Sequence, residues 1–443
     1  MSYILDKAVE GYDQRLALFN VPPVETAIQD VYIKDYRPIG QISRGSTLEF
    51  DIPNNSSDYI ILNEISMLLS LQIYSDKNEK VGATNDVTLI NLPASAHFRQ
   101  VDLSIQQQVI TSSVGSNYPY KAIFDTLLES GKSDQETWLT LAGYYKDTAG
   151  GMDGFNAVKN STNSGLSSRH HKTKTGKKAI FKSKLFVDIC QQNRLLLNGL
   201  PINIKLYPGP DLFSLMHPNI EASALAGSKS YYVHIDDATI LVPYARIHPG
   251  MLMAQSEMLK KEMALYPFTR SEVKGYNIPK GNHSWMMDNL FQDAIPKRLV
   301  IGLVKSSAYS GANQLNPFNF DTMSVNYLDF TIDGQSCKSQ VLQPDFENDN
   351  YVQSYSKLFD CMPPNQKEPP EITYYDYKHG YALYVFDLEN SKDVFYSNPL
   401  RRGQTRLTVK FGKALVDPTT IIVYGTFEAL MKVDQVRNVI IES

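Results

Sequence analysis

The sequence has only three cysteines, Cys190, Cys337 and Cys361, and no two of them are spaced as CxxC. A disulfide framework needs a dense, even set of cysteines, and a structural zinc site needs closely spaced ligands. No run of residues approaches the ~18 consecutive apolar positions of a membrane-spanning helix. These absences exclude a disulfide-stapled domain, predict buried free thiols and predict no membrane insertion.

Charge of one sign and targeting signals are also scarce. The formal net charge is -4, which does not suit a protein that wraps nucleic acid over a large surface. The first residues, MSYILDKAVEGYDQRLALF, place acids where a secretory signal needs a basic start and an apolar core. We therefore expect synthesis in the cytosol, no strong direct nucleic-acid binding, and no glycosylation at the sequons of Asn54, Asn55, Asn160 and Asn282.

What the sequence does contain is a series of short β-strand signals. Its 443 residues are too many for one hydrophobic core and suit two domains of about 200 residues each. Apolar or alternating runs occupy both halves, and helical patterns do not alternate with them as a βαβ fold requires. The runs before residue 243 include TLEFDIP, SMLLSLQIY, QVDLSI and INIKLY, and those after it include RLVIGLV, LDFTIDG, YALYVFDL and TTIIVYGTF. The pattern predicts an all-β chain of two tandem sandwiches with a few short helices in the connections.

One helical pattern lies between the two sets of strands. The stretch PGMLMAQSEMLKKEMALYP has proline at either end and places Met251, Leu252, Met258, Leu259 and Met263 near one helical face. We interpret it as the interdomain connector. The resulting divisions are an N-terminal arm at 1–35, a first sandwich at 36–245, a connector at 246–263 and a second sandwich at 264–443.

Three further segments receive a prediction from composition alone. Residues 3–19 are a candidate short helix, which Pro22 and Pro23 would end. The stretches 147–178 and 361–371 are rich in turn residues and are predicted to be irregular surface loops.

The two halves repeat short motifs in the same order, as a duplicated domain would. FDIP ending at Pro53 matches YNIP ending at Pro279, and LLSLQI ending at Ile73 matches LVIGLV ending at Val304. DLSIQQQ from Asp102 aligns with DFTIDGQ from Asp329, so that Gln108 and Gln335 fall in register. The helix-like segment YKAIFD, from Tyr120 to Asp125, matches YSKLFD, from Tyr355 to Asp360.

Two later matches bring the number to six. FVDI from Phe186 pairs with VFDL from Val385, and INIKL from Ile202 pairs with LTVKF from Leu407. We interpret the series as a duplication, and the alternative is two unrelated sandwiches that share strand patterns. A catalytic pair would not be expected to duplicate so symmetrically, so the repeated Asp and Gln residues are interpreted as turn and strand-end hydrogen bonders.

The opening of each half resembles a known family. LFNVPPVETAI from Leu18 is followed by YRPIGQISRGSTLEFDIPNNSSDYIIL from Tyr36, and ALYPFTRSEVKGYNIP begins at Ala264. These motifs are similar to those of the double jelly-roll major capsid proteins of Polinton or Maverick elements and adintoviruses, relatives of adenovirus-type hexons. The resemblance covers essentially the whole chain in length, order and two-domain layout, apart from 147–178 and 361–371.

The resemblance implies that each sandwich is an eight-stranded jelly roll and that three chains form a pseudo-hexameric capsomer. The expected partners are other copies of this chain, neighbouring capsomers, and minor capsid or penton proteins. The expected location is an icosahedral virion capsid, with synthesis in the host cytosol and the nucleus as a candidate site of assembly. No enzymatic activity, cofactor or metal is expected.

A basic run, RHHKTKTGKKAIFKSK from Arg169, is a candidate contact surface. Its cations are Arg169, Lys172, Lys174, Lys177 and Lys178, and they could touch a genome, an acidic neighbour or membrane headgroups. The alternative is a mobile, solvated loop. His170 and His171 are adjacent, so their side chains point apart and do not predict a metal site.

Other motifs carry weaker signals. GKS at Gly131 to Ser133 is part of a phosphate-binding pattern, but Thr126 stands where that pattern needs glycine. HIDD from His234 places an imidazole and Asp236 on one strand face without a third partner. Five tyrosines form either a binding platform or a half-buried strand surface: Tyr374, Tyr375, Tyr377, Tyr381 and Tyr384.

Two other classes of function remain open from the sequence. A tandem β-sandwich that binds carbohydrate or a receptor should show an exposed aromatic-and-acid site in one domain. A glycoside hydrolase needs a carboxylate pair in a cleft, and the sequence offers no convincing pair.

Overall fold

The computed structural model describes most of the chain between residues 14 and 442. The described residues are 14–16, 18–19, 21, 24–54, 57–82, 85–111, 117–156, 162–218, 230–337, 341–360, 362, 366–389 and 399–442. Most of the predicted helix at 3–19, Cys361 and the sequons of Asn55 and Asn160 lie outside these residues. Within the described ranges, every helix is too short or too polar to cross a membrane.

Eleven strands form in the first half of the chain. They are β1 (Ile28–Tyr36), β2 (Leu48–Ile52), β3 (Tyr59–Ile60), β4 (Ser66–Ser75), β5 (Thr88–Leu89), β6 (Phe98–Ile105), β7 (Gln108–Val109), β8 (Ala179–Lys184), β9 (Ile202–Pro208), β10 (Leu215–Met216) and β11 (Tyr231–Ile247). Eight of them build two antiparallel sheets: sheet 1 in the order β1-β11-β4-β8 and sheet 2 in the order β2-β9-β6-β7. The short β3 extends sheet 1 along β11, and β5 pairs with β10.

Nine strands form in the second half. They are β12 (Ala264–Ile278), β13 (Ser284–Asp288), β14 (Arg298–Lys305), β15 (Val325–Ile332), β16 (Gln335–Ser336), β17 (Leu383–Asp387), β18 (Thr405–Phe411), β19 (Thr419–Val433) and β20 (Val439–Glu442). Sheet 3 has the order β12-β19-β14-β17, and sheet 4 has the order β13-β18-β15-β16. The short β20 pairs with one end of β19.

The two halves share one topology. When the short accessory strands are set aside, each half has eight strands, and they pair as first-eighth-third-sixth and second-seventh-fourth-fifth. This arrangement of two facing antiparallel sheets is the jelly roll. The prediction of an all-β chain with two tandem eight-stranded jelly rolls is confirmed.

Each sandwich is held together by alternating apolar side chains on facing strands. In β4, Met67, Leu69, Leu71 and Ile73 are buried, and residues between them lie on the other face. The same two-residue period places the apolar side chains of β9 in the core opposite them. Cys190 is a buried free thiol, and Cys337 is also buried, which agrees with the burial predicted for the cysteines.

Nine short α-helices lie in the connections of the described chain. They are α1 (Pro93–Ala96), α2 (Tyr118–Glu129), α3 (Lys132–Glu136), α4 (Ser164–Thr173), α5 (Asp211–Ser214), α6 (Pro249–Leu259), α7 (Ser306–Ser310), α8 (Val352–Asp360) and α9 (Tyr374–Lys378). Helix α6 joins β11 to β12, and the His248 side chain caps it by accepting a hydrogen bond from the Gly250 N–H at 3.1 Å. Leu252 and Leu259 pack against the core, whereas the helix leaves its methionines exposed.

Two segments differ from the irregular structure or arm predicted for them. Residues 164–173, inside the predicted loop at 147–178, form helix α4, because the Asn163 side chain accepts a hydrogen bond from the Leu166 N–H and caps the first turn. Residues 28–36, assigned to the N-terminal arm, form β1 and pair with β11.

The motif matches of the predicted repeat fall partly on equivalent strands. Ile105 pairs with Gln108, and Ile332 pairs with Gln335, so the hairpins that join β6 to β7 and β15 to β16 have the same register. Both turns use two residues with positive φ, Gln106 and Gln107 in one case and Asp333 and Gly334 in the other. This is the backbone of a two-residue hairpin turn.

Other matches are wrong in register or in strand. Pro53 follows β2, the second strand of its sandwich, whereas Pro279 follows β12, the first strand of the other, so their alignment is wrong. LLSLQI and LVIGLV lie on the equivalent strands β4 and β14, but the alignment matches residues on opposite faces, so its register is wrong. Leu68 lies half-buried on the outer face of sheet 1, whereas its match Leu299 pairs with Phe386, whose ring contacts sheet 4. A slip of one residue moves every side chain to the opposite face of the sheet. Because apolar residues occur on both faces of these strands, the sequence does not reveal such an error.

The last two matches also differ from the strand pairing. The segments from Ile202 and Leu407 lie on the equivalent strands β9 and β18, but Ile202 pairs with Ile105 whereas Ile332 pairs with Thr405, a shift of two residues. Phe186 follows the end of β8, whereas Val385 lies within β17.

Candidate functional site

The two sandwiches meet where helix α2 of the first half lies against the outer face of sheet 3. Residues 118–128 of α2 are all buried. The Tyr424 hydroxyl of β19 donates a hydrogen bond to Asp125 Oδ1 at 2.8 Å. Asp188, which follows β8, accepts hydrogen bonds from the backbone N–H and the hydroxyl of Ser271 in β12, at 2.8 and 2.7 Å. Polar contacts therefore fix the two halves relative to each other.

A buried lysine neutralises the carboxylates at this junction. Lys121 Nζ lies 2.8 Å from Asp125 and 3.0 Å from Asp188. Burial alone would lower the pKa of Lys121, but the two carboxylates outweigh it and hold that pKa well above its ordinary value. Arg298 of β14 forms a further ion pair with Glu129 at the end of α2, at 2.9 Å. The junction thus sets two cations, Lys121 and Arg298, against three carboxylates, those of Asp125, Asp188 and Glu129.

Aromatic rings fill the space around this polar cluster. Phe124 stacks on Phe320 and on Tyr424, with ring centroids 5.2 and 5.6 Å apart. Tyr120 stacks on Tyr309 of α7 at 5.5 Å. The predicted motif residues Tyr120 and Asp125 therefore lie together at the junction between the sandwiches.

The matching motif in the second half lies in a different environment. Tyr355 of α8 packs edge-on against Tyr374, and its hydroxyl donates a hydrogen bond to the Ile372 carbonyl at 3.0 Å. Asp360 is exposed and pairs with Lys357 at 2.8 Å. Helix α8 leaves Val352 exposed, whereas α2 is covered along nearly its whole length.

The outer face of sheet 1 is the topological counterpart of the covered face of sheet 3, yet it is open. Ile33 of β1 and Ile180 of β8 are 62% and 69% exposed, and Val31 is also exposed. Between these edges, Leu68 and Leu241 are half-buried on the same face. We call these five residues the bare face. On sheet 3 the equivalent surface, which includes Val273, Val300 and Tyr424, is buried.

The four repeated Asp and Gln residues are not brought together. Asp102 lies in sheet 2, where it accepts a hydrogen bond from the Gln100 side chain at 2.9 Å. Asp329 lies in sheet 4, where it accepts hydrogen bonds from the Tyr327 and Ser336 hydroxyls at 3.3 and 3.1 Å. Gln108 and Gln335 are exposed at the two hairpins. These residues stay in separate sandwiches.

The predicted basic contact surface needs a correction at Arg169. This side chain is buried in α4, where Nη2 forms an ion pair with Asp147 at 2.8 Å and Nε donates to the Leu89 carbonyl at 3.0 Å. The helical cap at Asn163 turns Arg169 inward, so it cannot contact a partner. Lys172 and Lys174 are half-buried, and only Lys177 and Lys178 of the five are exposed, with Lys178 lying 3.4 Å from Asp236.

The weaker motifs do not assemble into a reactive centre. The Ser133 N–H at the start of α3 donates to the Glu368 carboxylate at 2.9 Å, so a protein acid lies where a phosphate would bind. His234 Nε2 lies 3.9 Å from Asp236. Throughout the described part of the chain, no three His, Cys, Asp or Glu side chains are grouped to hold a metal ion. Tyr377, Tyr381 and Tyr384 are buried packing residues.

The sequence patterns missed the second half's contribution to the junction. Tyr424 lies in TTIIVYGTF, which reads as a core strand, and nothing in that pattern marks its hydroxyl as a partner of Asp125. Ser271 and Arg298 are likewise isolated polar residues in strand patterns. Asp188 lies in FVDI, whose apolar pattern predicts a strand, whereas the structure places this acid beyond the end of β8.

Proteins of known structure share this architecture. No family model matches the sequence. An uncharacterized protein of Caenorhabditis elegans, F54H12.2, is 25% identical over 410 residues, which are 89% of this chain and 93% of that protein.

Solved structures with the same fold come from viral capsids. A chain of the Sputnik virophage, determined by cryo-EM, has a TM-score of 0.65 at 12% identity, covering 100% of this chain and 94% of that chain. The mavirus major capsid protein has a TM-score of 0.55 at 11% identity, covering 100% and 96%. The Faustovirus major capsid protein has a TM-score of 0.53 at 9% identity, covering 93% and 92%. These neighbours are capsid proteins rather than enzymes, and the chain has the fold of the double jelly-roll viral major capsid proteins.

Proposed function

We propose that this chain is a viral major capsid protein, three copies of which close into a pseudo-hexameric capsomer that tiles an icosahedral shell. The observation that carries the proposal is the contrast between two topologically equivalent sheets. The outer face of sheet 3 is buried under the first sandwich of the same chain, whereas the bare face of sheet 1 exposes apolar side chains. A second sandwich from a neighbouring copy would cover it.

Repeating the contact between sandwiches produces a closed ring. The contact within one chain is head-to-tail, because the first sandwich offers α2 and the second offers the outer face of sheet 3. A head-to-tail contact closes when its rotation divides a full turn, and a step of about 60° closes six sandwiches, or three chains. The exposed Val352 of α8 lies on the connection that corresponds to the one holding α2. This surface is the proposed counterpart of the bare face.

The finer parts of the proposal follow from the resemblance of the sequence. We assign the chain to the Polinton and adintovirus type, with a first sandwich that adds β1 (Ile28–Tyr36) to residues 36–245, a second sandwich at 264–443 and a connector at 246–263 between them. The partners are neighbouring capsomers and minor capsid or penton proteins; the chain is synthesised in the host cytosol, and the virion assembles in the nucleus. The net charge of -4 supports genome packaging by other proteins.

Light scattering on the purified chain tests the proposal. Three chains of 49.9 kDa give a mass of about 150 kDa. The double variant Ile33→Asp/Ile180→Asp puts two charges on the bare face and should give the mass of one chain. Val416→Asp, a matched control on an exposed loop between β18 and β19, should leave the trimer intact. A monomeric wild-type protein at high concentration would refute the trimer, and a trimeric double variant would refute the bare face as its interface.

A further inference from the structure

A groove of about 550 Å³ lies beside the connector helix. Its walls come from α6 and from the strands that flank it, and they include Met251, Met258, Met263, Leu265 and Ile28. All five side chains are partly exposed, and Met258 is 54% exposed. The groove is large enough to take several apolar side chains, which is the size range of pockets that bind small ligands.

An apolar segment begins at the rim of this groove. Glu25 and Ala27 line one end of it, and the residues just before them are LALFNVPPV, from Leu16 to Val24, without a charged side chain. Leu16, Leu18, Phe19, Val21 and Val24 are between 67% and 97% exposed. Five such side chains in a short uncharged segment form a larger exposed apolar surface than single scattered residues.

We infer that the segment from Leu16 to Val24 of one copy docks in the connector-helix groove of a second copy. The match is chemical, because the segment has no charge that burial would have to desolvate and the groove walls are mainly thioether and aliphatic groups. Methionine side chains adapt to irregular apolar partners, which suits a groove that receives Leu, Phe and Val together.

The segment does not fill the groove of its own chain. Its described apolar side chains, those of Leu16, Leu18, Phe19, Val21 and Val24, remain exposed although Glu25, the next residue, lines the groove. A neighbouring copy can therefore bury apolar surface that the segment's own chain leaves uncovered.

The inference rests on the proposed self-association, which brings two copies within reach. It concerns a different surface from the bare face, so each can fail alone. Met258→Asp changes the groove only and should weaken docking at a position where the fold tolerates polarity. Ile33→Asp/Ile180→Asp changes the bare face only and separates the chains.

Photo-crosslinking tests the inference directly. A benzoylphenylalanine placed at position 19 is irradiated in an equal mixture of nitrogen-15-labelled and unlabelled chains, and linked peptides are identified by mass spectrometry. We expect links from position 19 to α6 or to the start of β12 that join one heavy and one light chain. Met258→Asp should lower their yield at least several-fold, and the same probe at position 416 should give no such link.

The outcomes separate the two ideas. Links within one chain only, or no link to the groove while light scattering still gives the trimer mass, would overturn the arm exchange and leave the proposed trimer standing. A monomeric wild-type protein without heavy-light links would overturn both. Heavy-light links in a trimeric protein would support both.

Discussion

Removing the buried ammonium group of Lys121 should destabilise the protein far more than removing a similar lysine at the surface. In Lys121→Met, Asp125 and Asp188 lose a partner at 2.8 and 3.0 Å. The Lys121 side chain is only 11% exposed and that of Asp125 only 4%, so water cannot replace the lost partner. Breaking a buried ion pair in this way costs about 3–5 kcal/mol of unfolding free energy.

The chain provides a matched control in the repeated motif. Lys357 lies the same 2.8 Å from Asp360, but that carboxylate is 51% exposed. Solvent screens such a pair, so Lys357→Met should cost about 0–1 kcal/mol. The two substitutions delete the same group from an ion pair of the same length, and they differ in the burial of that pair and in the second carboxylate, Asp188, that Lys121 also contacts.

Urea unfolding at pH 7.5 and one fixed protein concentration measures both effects. The two tryptophans, Trp138 and Trp285, lie one in each sandwich, so their fluorescence reports both halves. The raised pKa of Lys121 means that its stabilising charge is fully present below its ordinary value of 10.5 and is lost only as the pH rises through the higher folded value. Equal losses for Lys121→Met and Lys357→Met would refute the account of the junction.

Three further measurements test other parts of the structure. Burial lowers the pKa of His97 from 6.5 to about 4, so the stability that the neutral imidazole contributes is complete above pH 6.5 and is lost as the pH falls through 4. Between pH 7.5 and 5 the unfolding free energy should therefore fall by about 2 kcal/mol because of this residue. His97→Gln should remove that part of the pH dependence of the unfolding free energy. Arg169→Met should lower the unfolding free energy by about 3–5 kcal/mol because it leaves the buried Asp147 without its cation. Retention of the protein on a DNA column should stay unchanged. Weaker retention at unchanged stability would instead support Arg169 as part of a contact surface. At the second turn position of the two equivalent hairpins, Gly334→Ala should lower the unfolding free energy by about 1 kcal/mol and Gln107→Gly should not lower it, because φ is positive at both; thermal melts that showed the opposite order would contradict the assigned turn.

The architecture was predictable from the sequence because apolar side chains alternate with a two-residue period within each single strand. Met67, Leu69, Leu71 and Ile73 point into the core and alternate with Leu68, Ser70 and Gln72 on the other face, and such runs recur in both halves. The hairpin at Gln108 and its counterpart at Gln335 kept their spacing because a two-residue turn tolerates no insertion without changing the register. Local geometry therefore made this part of the repeat visible.

Contacts between distant segments leave no comparable pattern in the sequence. The alignment of Pro53 with Pro279 matched the second strand of one sandwich with the first strand of the other. Short apolar runs that end in proline occur at more than one strand of a sandwich, so the sequence does not distinguish them. The sequence pattern makes Arg169 look like part of a basic run. Only the structure shows that its side chain is buried and forms an ion pair with Asp147. The pairing of Asp125 with Tyr424 joins positions 299 residues apart, and a single sequence carries no local pattern for it.

A density map of the purified oligomer tests the central claim most directly. The account predicts a three-fold particle with a hexagonal outline, in which the bare face around Ile33 and Ile180 lies under the second sandwich of the neighbouring copy. A map in which that face is open to solvent, or in which the copies meet through another surface, would contradict it.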